Sequence, residues 1–340
     1  MSPGLKDIAA RAGVDIGTVS HVLNQRPKAA LLKPETRRRI LQIADELGYC
    51  RNEMASSVAT GHGNVLAFVT AEMGSVEYTG RIQSGVFDEA CARGYSVSVY
   101  HLNGKNHSEI VHRILGWRTA GVIFHIPALD SASEVIEVLK KNAIPYGTAN
   151  LGNPGGIGVT TDDYQGALDA VKYLAGLGHR KILFLSIPER NAQLNEYSFN
   201  RRNGYLDGMK RYLPDVRPDI LEVCNSEPGS VVGIREKLRH SGPTAVFCLG
   251  DSFAMRVFQA ADREGIAIPE ELSVVGYGGL VMSEYAAVPM TTVIQDFEKI
   301  GALTARQVID RLEKKETGDP ERNIRLPVKL LIRDSTRKIA

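Results

Sequence analysis

Cysteine is scarce in this chain and is never grouped. Four cysteines, Cys50, Cys91, Cys224 and Cys248, are spread over 340 residues, with no C-x-x-C pair and no cluster of histidines. Zinc sites and disulfide frameworks both need closely spaced or paired ligands. The pattern therefore predicts neither, and it favours a reducing compartment.

Long apolar runs and a strong net charge are also missing. No uninterrupted apolar stretch approaches the ~18 residues of a membrane span, and the N-terminus lacks the apolar core of a signal peptide. The formal net charge is only +2, which indicates no particular partner. We therefore expect a soluble, cytoplasmic protein without membrane contact.

The sequence contains no GxSxG, P-loop or HExxH motif. Its glycine cluster GNPGGIG, at 152–158, precedes a predicted strand instead of joining a strand to a helix. It is therefore not placed to present a helix N-terminus to a phosphate. His179 directly follows Gly178 beyond a predicted helix end and is interpreted as part of the helix cap. We predict a protein that is not an enzyme and needs no cofactor.

Residues 5–24, LKDIAARAGVDIGTVSHVLN, have the pattern of two short amphipathic helices joined by a tight turn. Ala9 is small enough for close helix approach, Gly13 accepts a turn conformation that other residues resist, and Val19 should pack between the helices. Asp15 is placed to cap the second helix. Such a helix-turn-helix fits the major groove of DNA; a generic helical hairpin is the alternative.

A third helix is predicted to begin at Pro34 and to end at Gly48. Residues 1–61 hold nine Lys and Arg against six Asp and Glu, a modest excess that suits contact with phosphates but equally suits a solvated helix face. We predict a DNA-binding domain over 1–49 and a hinge helix or linker over 50–62. The apolar face of the third helix is expected to comprise Ile40, Leu41, Ile43, Ala44 and Leu47, and the basic run comprises Lys33, Arg37, Arg38 and Arg39.

From Val65 onward, β-type runs such as VLAFV, GVIFHI and KILFLS alternate with helical runs. This alternation implies parallel sheets with right-handed crossovers, and some nine strands are too many for one core. We predict two α/β lobes with a break near residue 160. The first lobe is expected to hold 63–160 plus about 292–320, and the second 161–291 plus about 321–340.

Ligands of such sheets bind beyond the carboxyl ends of the strands, which face a shared cleft when two lobes are present. Ordinary loop chemistry explains any single polar residue there, but the set as a whole favours a ligand site. Arg201 offers a two-pronged donor for carboxylate or phosphate, with Tyr78 as an aromatic platform. The side chains predicted at the cleft are Tyr78, His125, Asn150, Arg201 and Ser226, together with the turn 276–279.

Motifs along nearly the whole chain resemble those of the LacI/GalR family of bacterial transcription repressors. The head carries KDIAARAGV, TVSHVLN, ETRRRI and ELGY, and the body carries YLAGLGHRKILFL, RRNGYLDGM, VPMTTVIQD and LLIRDST, among others. The resemblance implies a DNA-binding head, a hinge helix and a two-lobed effector domain of the periplasmic-binding-protein type. It further implies a homodimer that binds a pseudo-palindromic operator in double-stranded DNA, controlled by a sugar or sugar derivative.

The resemblance also assigns residues by position. Base contacts would come from Ile16, Gly17 and His21, and phosphate contacts from Thr18, Ser20, Asn24 and Thr36, with Leu5 and Asp15 beside them. Minor-groove contacts would come from Asn52, Ala55 and Val58. Effector or cleft positions are Tyr78, Asn150, Arg201, Ser226, Asp251 and Gly278, to which the strand-end argument adds His125.

Four features depart from the usual pattern of that family. Gly17 has no side chain with which to read a base, the loop 26–33 is about three residues longer, and Val58 replaces a leucine that wedges open a base step. Gly278 and Gly279 replace a pair whose first aspartate commonly holds a sugar hydroxyl. The last change predicts a roomier, less acidic cleft and favours a larger or acidic sugar derivative.

Two other classes of protein share part of this pattern. A periplasmic solute-binding protein would have the two lobes, but it would carry a signal peptide and would have no use for residues 5–48. A nucleotide-dependent α/β enzyme would need a phosphate-binding loop between strand and helix. The direction of the effector's influence and the operator sequence are not specified by the sequence.

Overall fold

The computed structural model describes residues 3–24, 27–49, 63–72, 76–188, 195–223, 230–313 and 323–339. They divide into two units, a head that ends at Gly63 and a body that begins at Asn64. The predicted hinge residues Asn52, Ala55 and Val58, and the predicted cleft residue Ser226, lie outside the described residues.

The head is helical, as predicted. It contains α1 (Leu5–Ala12), α2 (Ile16–Leu23), a 3₁₀ turn (Pro27–Leu31) and α3 (Pro34–Glu46). Gly13 ends α1 with a φ of 64°, a left-handed conformation that favours glycine. The Asp15 side chain caps α2 by accepting a hydrogen bond from the backbone N–H of Thr18 at 2.8 Å. Hydrogen bonds from Thr18 lower the pKa of Asp15.

The core of the head lies where the three helices meet. Ile8, Val19 and Ile40 are fully buried there, and Leu5 packs against them. The expectation for Leu41 was wrong, because its side chain is 52% exposed. Each helical residue turns the side chain by about 100°, so the neighbour of a central core residue points away from the buried stripe.

The first lobe of the body is built on an all-parallel sheet in the order β11-β5-β4-β3-β1-β2. Four helices accompany it: α4 (Glu77–Ala92), α5 (His107–Gly116), α6 (Ser133–Lys141) and α11 (Phe297–Leu312). The strands are β1 (Val65–Thr70), β2 (Ser96–His101), β3 (Gly121–His125), β4 (Tyr146–Ala149), β5 (Ile157–Thr161) and β11 (Asn323–Leu326).

The second lobe has a sheet in the order β12-β10-β9-β8-β6-β7, parallel except for β12. Its helices are α7 (Asp163–Gly176), α8 (Glu196–Tyr212), α9 (Ser230–Ser241) and α10 (Asp251–Glu264). The strands are β6 (Ile182–Ser186), β7 (Asp219–Glu222), β8 (Ala245–Cys248), β9 (Ser273–Gly278), β10 (Thr291–Ile294) and β12 (Lys329–Leu331).

The chain crosses between the lobes differently from the prediction near its C-terminal end. Strand β10 pairs with β9 in the second sheet, although residues from about 292 were expected in the first lobe. Strand β11 pairs with β5 in the first sheet, although residues from about 321 were expected in the second. Both are four-residue strands at which either sheet offers a free edge, so their apolar pattern alone does not choose the sheet.

The helices α4 and α11 of the first lobe cross at two glycines. A Cβ atom on Gly85 would lie 1.9 Å from the carbonyl oxygen of Glu298, and one on Gly301 would lie 1.9 Å from that of Ile82. The crossing is flanked by an ion pair between Arg81 and Glu298 at 2.7 Å. These two helices therefore pack backbone to backbone. No helix within the described part of the chain is long and apolar enough to span a membrane.

Candidate functional site

The N-terminal end of α2 is the most exposed part of the predicted DNA-reading surface. Ile16 is 42% exposed, Gly17 beside it is also exposed, and His21 one turn later is half-buried. Nδ1 of His21 is buried without a hydrogen-bond partner among the described residues. The helix thus offers an apolar tip and an unpaired imidazole nitrogen, both of which suit contact with base edges.

Other predicted DNA contacts are engaged within the head. The Thr18 hydroxyl donates to Asp15, and the Asn24 amide donates to the carbonyl oxygen of Ser20 at 2.7 Å and to its hydroxyl at 3.1 Å. Thr36 is half-buried in the first turn of α3. Contact of these side chains with phosphate stays a prediction.

Gly17 has a local physical reason. A Cβ atom at this position would lie 2.9 Å from Oδ1 of Asp15, the oxygen that caps α2. A side chain here would crowd the cap, so the missing base contact at Gly17 accompanies a well-formed helix start.

The body encloses a cavity of about 230 Å³ between its two lobes, which we name the main cavity. Five of the predicted cleft residues line it: Tyr78, Asn150, Arg201, Asp251 and Gly278. The other lining residues are Ile187, Tyr197, Leu249, Gly250, Ser252, Phe253, Tyr277, Leu280, Gln295 and Phe297.

A smaller cavity of about 30 Å³ adjoins it, which we name the side pocket. It shares Tyr78, Asn150 and Tyr197 with the main cavity. His125, the remaining described member of the predicted set, lines this pocket. Its other lining residues are Ala71, Glu72, Ile126, Pro127, Leu151, Asn195 and Glu196.

Arg201 is buried and fully engaged. Its Nε donates to Asp163 at 2.7 Å, Nη1 donates to the carbonyl oxygen of Leu249 at 2.6 Å, and Nη2 donates to Gln295 at 2.8 Å. The guanidinium also lies over the ring of Tyr277 at 3.7 Å. Burial opposes its charge, but the carboxylate of Asp163 prevails and raises the pKa of Arg201. The free two-pronged donor expected from the sequence is therefore not present.

Gln295 extends this network to both crossovers between the lobes. Its Nε2 donates to the hydroxyl of Thr161 at 2.6 Å, and that hydroxyl donates to Asp163 at 3.2 Å. Thr161 ends β5 and Gln295 follows β10. Arg201 thus holds together the two chain segments at which the lobes connect.

Asp251 is committed to shaping a turn. Its Oδ2 accepts from the backbone N–H of Leu280 at 2.7 Å, and its Oδ1 accepts from the hydroxyl of Thr292 at 2.6 Å. Burial raises the pKa of this carboxyl. Gly278, at the start of that turn, has a φ of 127°, which disfavours any side chain. The change from aspartate to Gly278 thus removes an acceptor and suits the backbone.

Tyr78 and His125 form an aromatic wall. Their rings meet edge to face at 5.8 Å, and the Tyr78 hydroxyl donates to Glu72. Burial raises the pKa of Tyr78, and burial lowers the pKa of His125 to about 4. Both side chains are therefore uncharged at neutral pH.

Asn150 is the strained and unsatisfied residue of the site. It has a φ of 62°, held by a hydrogen bond from its backbone N–H to the carbonyl oxygen of Val159 at 2.8 Å. Its Oδ1 is buried and has no partner among the described residues. Strain and an unpaired buried acceptor at one residue are typical of a position kept for binding.

Comparison with known proteins agrees with both units. Residues 4–52 match the family of bacterial regulatory proteins called the lacI family, and residues 171–336 match the periplasmic binding protein-like domain. The chain is 26% identical over 342 residues to the transcriptional repressor PurR of Vibrio vulnificus, covering 98% of this chain and 99% of that protein. It is 28% identical over 347 residues to catabolite control protein A of Priestia megaterium, covering 99% and 100%.

The fold matches as well. A crystal structure of the Lac repressor dimer bound to operator and the anti-inducer ONPF superposes with a TM-score of 0.84, at 23% identity, and covers 99% of this chain and 100% of that one. The chain belongs to the LacI family. The predicted fold, a helix-turn-helix head with a two-lobed body of the periplasmic-binding-protein type, is confirmed.

Several residues of this LacI-family cavity were missed by the sequence analysis. Tyr197 lies one helical turn before Arg201, whose guanidinium is 5.1 Å from its ring. Gln295 follows the end of β10 within the motif VPMTTVIQD. Both positions were detectable, because a residue four before a cleft residue shares its helix face and strand ends supply cleft residues.

His179, interpreted as a capping residue, has a structural role. It is 1% exposed, and its ring nitrogens lie 2.9 Å from the Thr244 hydroxyl and 3.1 Å from the carbonyl oxygen of Arg337. It joins the end of α7 to the C-terminal tail. No group of three metal-binding side chains occurs within the ranges that the structure describes.

Proposed function

We propose that this LacI-family protein is a sequence-specific repressor whose affinity for its operator is controlled by a small molecule in the main cavity. The main cavity, with the unpaired Oδ1 of Asn150 at its wall, is the observation that carries the proposal. A protein that only bound DNA would have no need of a strained residue with an unsatisfied buried amide between two lobes.

The head supports the DNA-binding part of this function. The N-terminal end of α2 exposes Ile16 and an uncrowded backbone at Gly17, so the helix can approach base edges closely. Lys33, at the N-cap of α3, is exposed and supplies charge for phosphates. Chromosomal DNA as the target places the protein in the cytoplasm.

A homodimer suits this function, because a pseudo-palindromic operator requires two related recognition helices. The second lobe exposes large apolar side chains at Val281 (54%), Tyr285 (79%) and Ile332 (59%). Their segments are joined where Arg333 donates to the Ser283 hydroxyl at 3.0 Å. We assign the contact between two copies of the chain to this surface.

The effector is proposed to be a sugar or a sugar derivative. Aromatic rings line the main cavity from both lobes, among them Tyr78, Tyr197, Tyr277 and Phe297. Such rings pack against the apolar faces of a sugar ring, while a few polar atoms fix its orientation.

Selection of binding sites from a pool of random DNA duplexes by the full chain tests this function. The enriched sequences should contain two half-sites related by two-fold symmetry. On the selected operator, His21→Ala should relax sequence preference, whereas Lys33→Ala should weaken binding to all sequences alike and reduce its salt dependence. Enrichment of a single asymmetric half-site, or of no sequence, would contradict the proposal.

A further inference from the structure

The main cavity already balances the charged side chains that line it. Within the described residues these are Arg201 and Asp251. All three nitrogen atoms of the Arg201 guanidinium donate to protein acceptors, and both oxygens of Asp251 accept from Leu280 and Thr292. Neither group offers a ligand a charge that lacks a partner.

The surroundings of Arg201 are unfavourable for an anion. Asp163 lies 2.7 Å from its Nε, and Asp251 lines the same cavity. Glu72 lines the adjoining side pocket. A buried ligand carboxylate or phosphate would add negative charge to a site where carboxylates already outnumber the guanidinium, and a buried charge without its own partner is strongly disfavoured.

The polar atom that lacks a partner is an acceptor. Oδ1 of Asn150 is buried without a hydrogen bond from any described residue, at the junction of the main cavity and the side pocket. The left-handed backbone of Asn150 is held by its bond to Val159. The amide is therefore fixed where a ligand hydroxyl or amine could donate to it.

The dimensions indicate a compact ligand. The main cavity of about 230 Å³ is smaller than the ~300–1,000 Å³ typical of sites for drug-sized molecules. The side pocket of about 30 Å³ equals roughly the volume of one water molecule in the liquid, so it admits one hydroxyl-sized substituent. These volumes do not support the larger derivative expected from the sequence.

We propose that the effector is an uncharged, single-ring compound of monosaccharide size, and that Oδ1 of Asn150 selects it by accepting a hydrogen bond from one of its hydroxyl or amine groups. This inference rests on the proposed role of the main cavity as the effector site. It replaces the acidic derivative expected from the sequence, because Arg201 is a positioning residue that holds Asp163 and Gln295 and is not a receptor for a ligand anion.

The test compares neutral and anionic probes on the full chain. The neutral probes are D-glucose, D-galactose, D-ribose and xylitol, and their anionic counterparts are D-gluconate, D-galacturonate and ribose 5-phosphate. Thermal unfolding identifies which probes stabilise the protein, and calorimetry measures their dissociation constants. We expect at least one neutral probe to bind and its anionic counterpart to bind far more weakly.

Two substitutions at Asn150 identify the selecting atom. Asn150→Gly keeps the left-handed backbone and removes the amide, so it should weaken the neutral probe by about tenfold or more. Asn150→Asp keeps both the backbone preference and an acceptor, so it should retain binding within about threefold. Ala143→Gly is the matched control, because Ala143 is an exposed residue of the same lobe with a φ of 54°.

The inference is overturned if only anionic probes bind, if none of the neutral probes binds, or if Asn150→Asp abolishes binding of the neutral probe. Operator affinity measured on the same samples separates this from the proposed function. An anionic probe that changes operator affinity would leave the proposed function standing and refute the ligand class. A neutral probe that binds through Asn150 without any change in operator affinity would do the reverse.

Discussion

The carboxylate of Glu77, at the start of α4 in the first lobe, accepts a hydrogen bond from the backbone N–H of Val281 in the second lobe at 2.9 Å. Next to it, Nη1 of Arg81 donates to the carbonyl oxygen of Gly279 at 3.3 Å. The turn that these groups hold includes Gly278 and Leu280, which line the main cavity. A ligand that displaces this turn would therefore act directly on α4.

Glu77→Ala should weaken the coupling between the cavity and the operator. The substitution frees the turn from the first lobe but removes no residue that lines the cavity, so ligand affinity should change less than coupling. We expect the coupling free energy, measured as the ratio of operator affinities with and without ligand, to fall by about 0.5–2 kcal/mol. Glu109→Ala, which removes an exposed acid from α5, is the control, and equal coupling in both variants would refute this role.

Gly85→Ala should destabilise the body. The added Cβ atom would collide with the carbonyl oxygen of Glu298 in α11, which is part of a rigid backbone, so we expect a loss of about 1–3 kcal/mol in the free energy of unfolding. Gly80→Ala lies on the same helix, with nothing within 4 Å of the added atom. It should be neutral or stabilising by up to about 1 kcal/mol. Urea unfolding measures both, and equal effects would contradict the close crossing.

His125 predicts a pH dependence of stability. Burial lowers its pKa in the folded protein from 6.5 to about 4, so between these values the unfolded chain binds more protons than the folded chain. The free energy of unfolding should therefore fall as the pH drops from 6.5 towards 4, by up to roughly 3 kcal/mol from this residue, with no further loss below. His125→Gln should flatten that part of the profile relative to the wild type; an unchanged slope would show that other groups cause it.

Arg201→Met should cost about 3–5 kcal/mol, because it leaves the buried carboxylate of Asp163 without its partner. The double variant Arg201→Met/Asp163→Asn should recover part of this loss, since the uncompensated charge is gone. Denaturant unfolding of the two single variants and the double variant gives the coupling directly. Additive losses would show that the pair does not act as a unit.

Local sequence features predicted the head and most helix bounds of the body well. Gly13, Asp15 and Val19 act through contacts within the head, so their roles follow from spacing along the chain. The sheet assignments of β10 and β11 could not be predicted, because they depend on which edge each strand meets after a crossover.

The candidate site shows the same division. Strand ends and resemblance correctly placed Tyr78, Asn150 and Asp251 at the main cavity. They did not reveal that Arg201 is engaged by Asp163 and Gln295, which lie 38 and 94 residues away in the chain. Whether a polar side chain is free or engaged depends on such distant partners, and spacing alone does not supply them.

The central claim is that the main cavity and the operator are linked, so the most direct test measures both affinities on the full chain. With the selected operator and the neutral probe that binds best, calorimetry gives the probe's affinity with and without operator, and fluorescence anisotropy gives the operator's affinity with and without probe. The account predicts equal factors in the two directions, as linkage requires, and the loss of the probe's effect on the operator in Asn150→Gly. A probe that binds the main cavity and leaves operator affinity unchanged would contradict it.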